Sequence, residues 1–486
     1  MTERSLLLSR NYSNYSTTNK MQKLHKPRLV YGCCVVCFFI IILTLWMCPE
    51  PQIQLSALST TLNPNPLVSP TFAPVTTTDV DDTCTGRRIF TYNLPPSFNT
   101  DLLELCDGHL VFWIKFCKHY RNYGFGEFLN SSVPIFRDDW YGTDAYMLEV
   151  IFFERMLTYD CATSNPDEAD LFFIPYFSGL DALPYLYGSK KAHRQGKDLI
   201  SWLEANATES WERFKGIDHF MIAGRTSWDF SRQLSETEAW GTSLFSEPAL
   251  WNVTSMLLER KPWMGRIEQA IPYPVGFHPS TTASLTSWID HVRNSNRNFL
   301  FSFSGALRPQ MTTSIRGILS QQCANATHQC STLDCSKIQC SHNPEPIYTK
   351  LLEADFCLQP RGDTATRRST FDSILSGCIP VFFHKDTAHT QYTWHLPSDF
   401  ENWSVYIDEM AIKNGNANVQ EILNQYSKER VIEMRERLIS IIPNIVYRHP
   451  SGVAMANSMK DAFDLTIDGM ARKVAAFKKP TLLPRL

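Results

Sequence analysis

The sequence lacks an excess of charge of either sign. Its 46 Lys and Arg residues stand against 49 Asp and Glu residues, which gives a net charge of −3 and a pI near 6.5. A protein that binds nucleic acid in general needs a basic field, so this composition argues against such a partner. The sequence also lacks an internal repeat, which argues against a solenoid or propeller.

The cysteines lack the spacing typical of a zinc module, which would need two matched C-x₂₋₄-C pairs. The four nearest neighbours are Cys323, Cys330, Cys335 and Cys340. Ten of the 14 cysteines follow residue 48, and this even number predicts disulfides formed in an oxidising compartment. The sequence alone leaves their pairing open.

A cleavage site for a signal peptide is also missing after the long apolar run at residues 29–48. This run is uncharged and long enough to span a membrane, and six basic residues against one Glu precede it. We therefore expect a cytosolic tail (1–28), a signal anchor (29–48) and a luminal remainder, which is a single-pass type II topology. Residues 49–83, rich in Pro, Ser and Thr, are predicted to form an extended stem.

The stem contains Asp79-Val80-Asp81, the Asp-x-Asp pattern by which many metal-dependent glycosyltransferases hold a cation. A metal site needs a folded scaffold, so we predict no metal site there. Five glycosylation sequons follow on the luminal side. They begin at Asn130, Asn206, Asn252, Asn325 and Asn402.

The most informative stretch is residues 356–384. An apolar run is followed by a turn at Pro360 and Gly362, then by a helical pattern closed at Gly377, and then by a second apolar run. This pattern predicts a βαβ unit. Parallel strands leave the intervening loop at their carboxyl ends, where ligands bind in α/β sheets.

The loop of this unit is rich in cations and hydroxyls. Its donors are Arg361, Thr364, Arg367 and Arg368, and they predict a phosphate-binding site, while Asp372 is suited to ribose hydroxyls. Arg308 follows a predicted strand at 298–304 and would face the same cleft. The alternative is that these arginines form surface ion pairs with Asp363 and Asp372.

An earlier α/β region is predicted from strands near 88–93, 171–176 and 217–222, which alternate with helical segments. His219 lies near the start of the last of these strands, and Gly224, Arg225 and Asp229 follow it. His219, Arg225 and Asp229 are therefore candidates for the cleft. A lone histidine beside an apolar run is, alternatively, a structural residue. The predicted domains are 84–290 and 291–450, with a C-terminal helix and tail at 451–486 that cross back to the first domain.

Five motifs in order carry a resemblance to a known family. Residues 367–384 are similar to the signature of exostosin-type glycosyltransferases of family 47, in the branch of plant xyloglucan galactosyltransferases. The other matching segments are residues 89–98, 169–176, 218–229 and 391–397. The resemblance implies two Rossmann-like domains that face a cleft (the GT-B type) and residence in the Golgi membrane.

The resemblance further implies inverting transfer of galactose from UDP-galactose to a xylosyl side chain of xyloglucan, in β-linkage. Asp229 or His219 would then be the base, with Arg225 beside them. Arg308, Arg361 and Arg367 would bind the diphosphate, and Asp372 the ribose. No cofactor or essential metal is expected, because cations of the protein neutralise the leaving group.

The sequence is also compatible with another donor sugar and with another class of function. The donor could carry galacturonic acid or arabinose, and a carbohydrate-binding or scaffold protein could keep the fold without turnover. The chain could also form complexes with other Golgi glycosyltransferases.

Overall fold

The computed structural model describes residues 84–112, 115–187, 195–233, 235–236, 239–338, 340–452, 455 and 459–478. The predicted cytosolic tail, membrane anchor and stem, with its Asp-x-Asp pattern, lie outside the described residues. Among the residues that are described, no helix has both the length and the apolar character needed to cross a membrane.

The first half of the described chain forms a six-stranded parallel sheet. Its strand order is β2-β1-β3-β4-β5-β6. Strands β3, β4 and β5 are buried along their whole length, as expected for a parallel sheet covered on both faces. The strands are β1 (Ile89–Thr91), β2 (Ala162–Thr163), β3 (Leu171–Ile174), β4 (His219–Thr226), β5 (Thr254–Glu259) and β6 (Glu268–Ala270).

The second half forms a five-stranded parallel sheet with the order β11-β10-β9-β7-β8. Read in the opposite direction, and with β7 numbered as strand 1, the order is 2-1-3-4-5, which is typical of a doubly wound sheet. In such sheets ligands bind at the carboxyl ends of strands 1 and 3. Those strands are β7 and β9. The members of the sheet are β7 (Phe299–Gly305), β8 (Cys330–Asp334), β9 (Ala354–Gln359), β10 (Ile379–Phe382) and β11 (Val405–Tyr406).

Helices connect the strands in both halves. In the first half they are α1 (Thr100–Glu104), α2 (Cys117–Tyr120), α3 (Leu148–Met156), α4 (Ser178–Leu186), α5 (Lys197–Asn206), α6 (Thr208–Arg213) and α7 (Thr282–Arg293). In the second half they are α8 (Ile315–Asn325), α9 (Glu345–Leu352), α10 (Ser369–Leu375), α11 (Glu409–Lys413), α12 (Val419–Leu423), α13 (Lys428–Ile439), α14 (Ile442–Ile445) and α15 (Ala462–Lys478).

The last helix, α15, packs against the first sheet although it follows the second sheet in sequence. The ring of Phe463 lies 4.5 Å from that of Phe152, and Lys473 Nζ donates to the hydroxyl of Thr254 at 2.6 Å. The described residues between 84 and 478 belong to one compact unit. The two sheets are therefore parts of one folded body.

The ten cysteines beyond residue 48 form five disulfides, so the prediction of disulfides is confirmed. The pairs are Cys84–Cys161, Cys106–Cys117, Cys323–Cys330, Cys335–Cys340 and Cys357–Cys378. The last pair joins β9 to the residue that precedes β10, so it ties together the two strands that flank the phosphate-binding loop predicted from the sequence.

Candidate active site

Three arginines form a cluster at the carboxyl ends of β7 and β9. Arg308 follows β7, Arg316 lies in the first turn of α8, and Arg367 precedes α10. All three are half-buried. Within the part of the chain that the structure describes, none of them has a carboxylate within ion-pair distance. We call these residues the arginine cluster.

Two glycines make room for the cluster. A Cβ atom on Gly305 would lie 2.8 Å from Nη2 of Arg367, and one on Gly362 would lie 2.9 Å from Nη2 of Arg316. Both guanidinium groups thus lie directly against backbone. Arg367 also donates through Nη1 to the carbonyl of Pro360 at 3.1 Å. The main chain thus holds the guanidinium groups of Arg316 and Arg367 in place.

The cluster is electrostatically unbalanced. Burial and the neighbouring charges of Arg316 and Arg308 lower the pKa of Arg367 to about 9. Burial and the charge of Arg308 also lower the pKa of Arg316. Arg308 adopts a left-handed backbone conformation (φ 53°), which is uncommon for a residue with a side chain. Asp363 and Asp372 raise the pKa of Arg316 and Arg367, respectively, but neither carboxylate forms an ion pair with the cluster among the described residues. Cations that repel one another and form no such ion pair are arranged to receive an anion.

A carboxylate that the sequence analysis missed, Glu259, joins the two halves at this point. It ends β5, and its Oε2 accepts hydrogen bonds from the Thr364 hydroxyl (2.7 Å), the Thr366 N–H (2.8 Å) and the Thr366 hydroxyl (2.6 Å). Its Oε1 accepts from Nε1 of Trp228 at 2.9 Å. Thr364, predicted to bind phosphate, therefore donates its hydroxyl to Glu259.

Asp229 lies next to Trp228, just after β4, on the first-sheet side of Glu259. Its Oδ2 accepts from Nε of Arg225 and its Oδ1 from Nε1 of Trp240, both at 2.8 Å. Each oxygen keeps a lone pair after this bond. Asp229 is buried, with 10% of its side chain exposed, and it is oriented by two donors that leave each oxygen a lone pair.

Arg225 forms a buried ion pair with the carboxylate of Asp229. Although burial opposes its charge, Asp229 raises the pKa of Arg225 above its ordinary value. Its guanidinium carbon lies 4.5 Å from the ring centre of Tyr146, and Nη2 donates to the Tyr187 hydroxyl at 3.2 Å. The structure therefore places Arg225 as a partner of Asp229.

His219, the other candidate base, is a core residue in the structure. It is fully buried, with Nδ1 2.8 Å from Asp218 Oδ1 and Nε2 2.7 Å from the Tyr92 hydroxyl. Burial lowers its pKa despite the bond to Asp218. Both ring nitrogens are engaged away from solvent, so the geometry does not support His219 as the base. The geometry instead favours the alternative that His219 is a structural residue of the core.

The remaining candidates of the loop have protein partners. Nε of Arg361 lies 3.1 Å from Glu409, and Nε of Arg368 lies 3.7 Å from Asp372. Asp372 is buried and accepts from the Tyr348 hydroxyl at 2.7 Å. This geometry does not support Asp372 as a ribose ligand, because its carboxylate lies inside the fold. For Arg361 and Arg368 it favours the alternative of ion pairs, with Glu409 and Asp372 as the partners.

The buried carboxylate of Glu149 underlies the first-sheet side of the site. It accepts from the N–H groups of Gly179 (2.7 Å), Leu180 (3.3 Å) and Gly224 (3.1 Å). Burial raises its pKa to about 7. Because these N–H groups already occupy both oxygens, Glu149 fixes the backbone that precedes Arg225.

Among the described residues, one group could hold a metal ion: His119, Asp144 and His342, whose ligand atoms lie within 4.8 Å of one another. His342 Nε2 and Asp144 Oδ2 are 2.7 Å apart. No hydrogen bond between described residues joins this group to the arginine cluster.

The five sequons differ in exposure. Asn130, Asn206 and Asn325 are exposed, whereas Asn252 and Asn402 are half-buried. Asn402 Oδ1 accepts from Arg430 at 2.9 Å. Glycosylation of all five remains a prediction.

The comparison with known families assigns the class. The Exostosin GT47 domain matches residues 83–425, which is more than half of the chain. The chain therefore belongs to glycosyltransferase family GT47, and it is a glycosyltransferase.

Curated relatives refine this class. The chain is 40% identical over 401 residues to the xyloglucan galactosyltransferase XLT2 of Arabidopsis thaliana, covering 81% of this chain and 76% of the relative. It is 37% identical over 398 residues to the xyloglucan-specific galacturonosyltransferase 1 of the same plant, covering 81% of this chain but only 58% of that relative. Among solved structures, the GtfA/B complex matches with a TM-score of 0.31 and 8% identity over 67% of this chain and 61% of that one. The fold of this chain is defined by its own two parallel sheets.

Proposed function

We propose that this chain transfers galactose from UDP-galactose to xylosyl side chains of xyloglucan, in β-linkage and with inversion. The observation that carries the proposal is the arginine cluster at the switch point of the second sheet. It is suited to a diphosphate, and the relatives at 37–40% identity act on xyloglucan by name. We propose further that the two sheets are the domains of a GT-B arrangement, divided near residue 290.

In this mechanism the acceptor hydroxyl attacks the anomeric carbon from the face opposite UDP. Asp229 takes the hydroxyl proton, the bond between the anomeric carbon and the diphosphate oxygen breaks, and UDP leaves with the electron pair. Arg308, Arg316 and Arg367 stabilise that developing charge. A divalent cation is not needed for this role, because three guanidinium groups supply the positive charge.

The position of Glu259 supports the assignment of Asp229 as the base and of the arginine cluster as the diphosphate site. It bonds Trp228, the neighbour of Asp229, and Thr366, the neighbour of Arg367. The proposed base and the proposed diphosphate site thus flank one shared carboxylate. Binding energy at one side can in this way position groups at the other.

The donor is tested by incubating the full chain with a xyloglucan oligosaccharide and single UDP-sugars, followed by mass spectrometry. A gain of one hexose from UDP-galactose supports the proposal. A gain only from UDP-galacturonic acid supports the second candidate, which the match to the galacturonosyltransferase favours. UDP-arabinose is the third donor to include.

The base is tested with Asp229→Asn. An amide cannot take the proton, so we expect kcat to fall by about 10²- to 10⁴-fold. The dissociation constant for UDP should stay within about twofold of wild type, because the arginine cluster is intact. A kcat near that of wild type would reject Asp229 as the base. The melting temperature is recorded for both proteins, since the amide also loses one of two charged hydrogen bonds.

We also propose a cellular setting, which rests on the sequence and the family. The enzyme is a single-pass type II protein of the Golgi membrane with its catalytic part in the lumen. The five disulfides fit an oxidising compartment.

A further inference from the structure

Two exposed tryptophans, Trp228 and Trp240, adjoin the proposed base, and a third, Trp263, packs against Trp228. The exposed fractions are 39% for Trp228, 44% for Trp240 and 71% for Trp263. Large aromatic side chains usually bury most of their surface, and an exposed group of them marks a binding site. We call these three residues the tryptophan corner.

The corner is continuous with the proposed active site. Trp240 donates its indole N–H to Asp229, and Trp228 donates to Glu259. These bonds occupy the polar edge of each ring and fix its orientation. The Trp240 ring meets the Tyr187 ring edge to face at 5.5 Å, and Lys261 Nζ lies 5.5 Å from the centre of the Trp228 ring. The surface that each indole offers a ligand is the part that stays exposed.

Trp263 stands on a loop that is itself fixed. Arg260 Nη1 donates to the carbonyl of Pro262 at 3.0 Å, and the N–H of Lys261 donates to Glu268 at 2.8 Å. The ring centres of Trp228 and Trp263 are 6.1 Å apart, and their planes meet at 71°. The two rings therefore form an angular corner.

We propose that the tryptophan corner is the acceptor subsite for a branched β-glucan. Trp263 stacks on a glucose ring of the backbone, while Trp228 and Trp240 contact the xylosyl branch and hold its hydroxyl at Asp229. Pyranose rings with equatorial substituents present apolar C–H faces, which is the surface that indole rings cover. The proposal rests on the function proposed above and adds the residues that recognise the acceptor.

The test compares Trp263→Ala with a matched control, Trp251→Ala. Trp251 is 52% exposed and donates to the carbonyl of Phe245, but it precedes β5, whereas Trp263 follows β5. The two residues therefore lie towards opposite ends of β5. Both variants remove an exposed indole, and only one removes it beside the site.

We expect Trp263→Ala to raise KM for a xyloglucan oligosaccharide about tenfold or more while KM for the UDP-sugar and slow hydrolysis of the UDP-sugar stay unchanged. Trp251→Ala should match wild type in all three measurements. Equal acceptor KM values in the two variants would overturn the proposal.

Calorimetric titration with the same oligosaccharide separates this proposal from the proposed function. If wild type binds the oligosaccharide, Trp263→Ala binds it about tenfold more weakly and no UDP-sugar is transferred, the subsite stands and the transfer reaction is wrong. If wild type transfers galactose and binding is insensitive to Trp263, the transfer stands and the subsite is wrong. If wild type neither binds nor transfers, both are wrong.

Discussion

Replacing Arg316 with Gln tests the arginine cluster through two effects of opposite sign. Without ligand, the change removes a cation whose pKa is already lowered by burial and by Arg308. It also removes one long hydrogen bond, from Nε to the carbonyl of Arg361 at 3.4 Å. We expect the free energy of unfolding of the ligand-free protein to be unchanged or slightly higher.

With UDP the same substitution should weaken binding. A hydrogen bond between a charged donor and phosphate contributes about 1.5–3 kcal/mol, which corresponds to a rise in Kd of roughly 10- to 150-fold. At a UDP concentration of 100 times the wild-type Kd, the ligand stabilises wild type by about 2.7 kcal/mol. A tenfold weaker variant would be stabilised by only about 1.4 kcal/mol at that concentration.

The assay is thermal unfolding with and without UDP, together with titration calorimetry. Arg293→Gln is the control, because Arg293 pairs with Glu436 on the surface at 2.9 Å and 44% of its side chain is exposed. Unchanged UDP affinity in Arg316→Gln, or an equal loss in the control, would refute the assignment of the cluster to the diphosphate.

Two further predictions concern acid stability and metal dependence. Burial lowers the pKa of His278 to about 3. Between pH 6.5 and 3 the folded chain therefore binds fewer protons than the unfolded chain. The free energy of unfolding falls as the pH falls through this range. Between pH 7 and 5, urea denaturation should show wild type losing about 2 kcal/mol more than His278→Gln. Equal losses in the two proteins would contradict the prediction. For the metal, we expect full transfer activity in excess EDTA, and a loss that Mn²⁺ restores would show that the arginines do not suffice.

The sequence predicted the βαβ unit well because its signals are local. The strand–turn–helix–strand order of residues 356–384 appears as β9, α10 and β10. Apolar runs, turn residues and the helix-ending Gly377 act over a few residues, so the strands and the helix can be predicted from the sequence. The length of β4 was predicted less well. Its predicted end at 222 falls short of Thr226, because pairing with β5 resumes at Glu259 after an irregularity.

The partners of charged residues were not predictable in this way. Asp372 has a suitable position in sequence for ribose, but it is buried against Tyr348, which lies 24 residues earlier. His219 and Asp229 looked equivalent until the fold placed one in the core and the other beside Trp240. Glu259 could have been noticed as a carboxylate that ends an apolar strand, although nothing nearby in sequence indicates its bonds to Thr364 and Thr366.

The amino-acid sequence by itself determined the class of fold, the use of disulfides, the family motifs and the basic, hydroxyl-rich loop, because each depends on residue type and short-range spacing. Only the tertiary structure decided which arginines form no ion pair with a described carboxylate, which cysteines pair and which acid lies beside exposed tryptophans. These properties depend on residues that are distant in sequence and meet only when the two parallel sheets pack into one body.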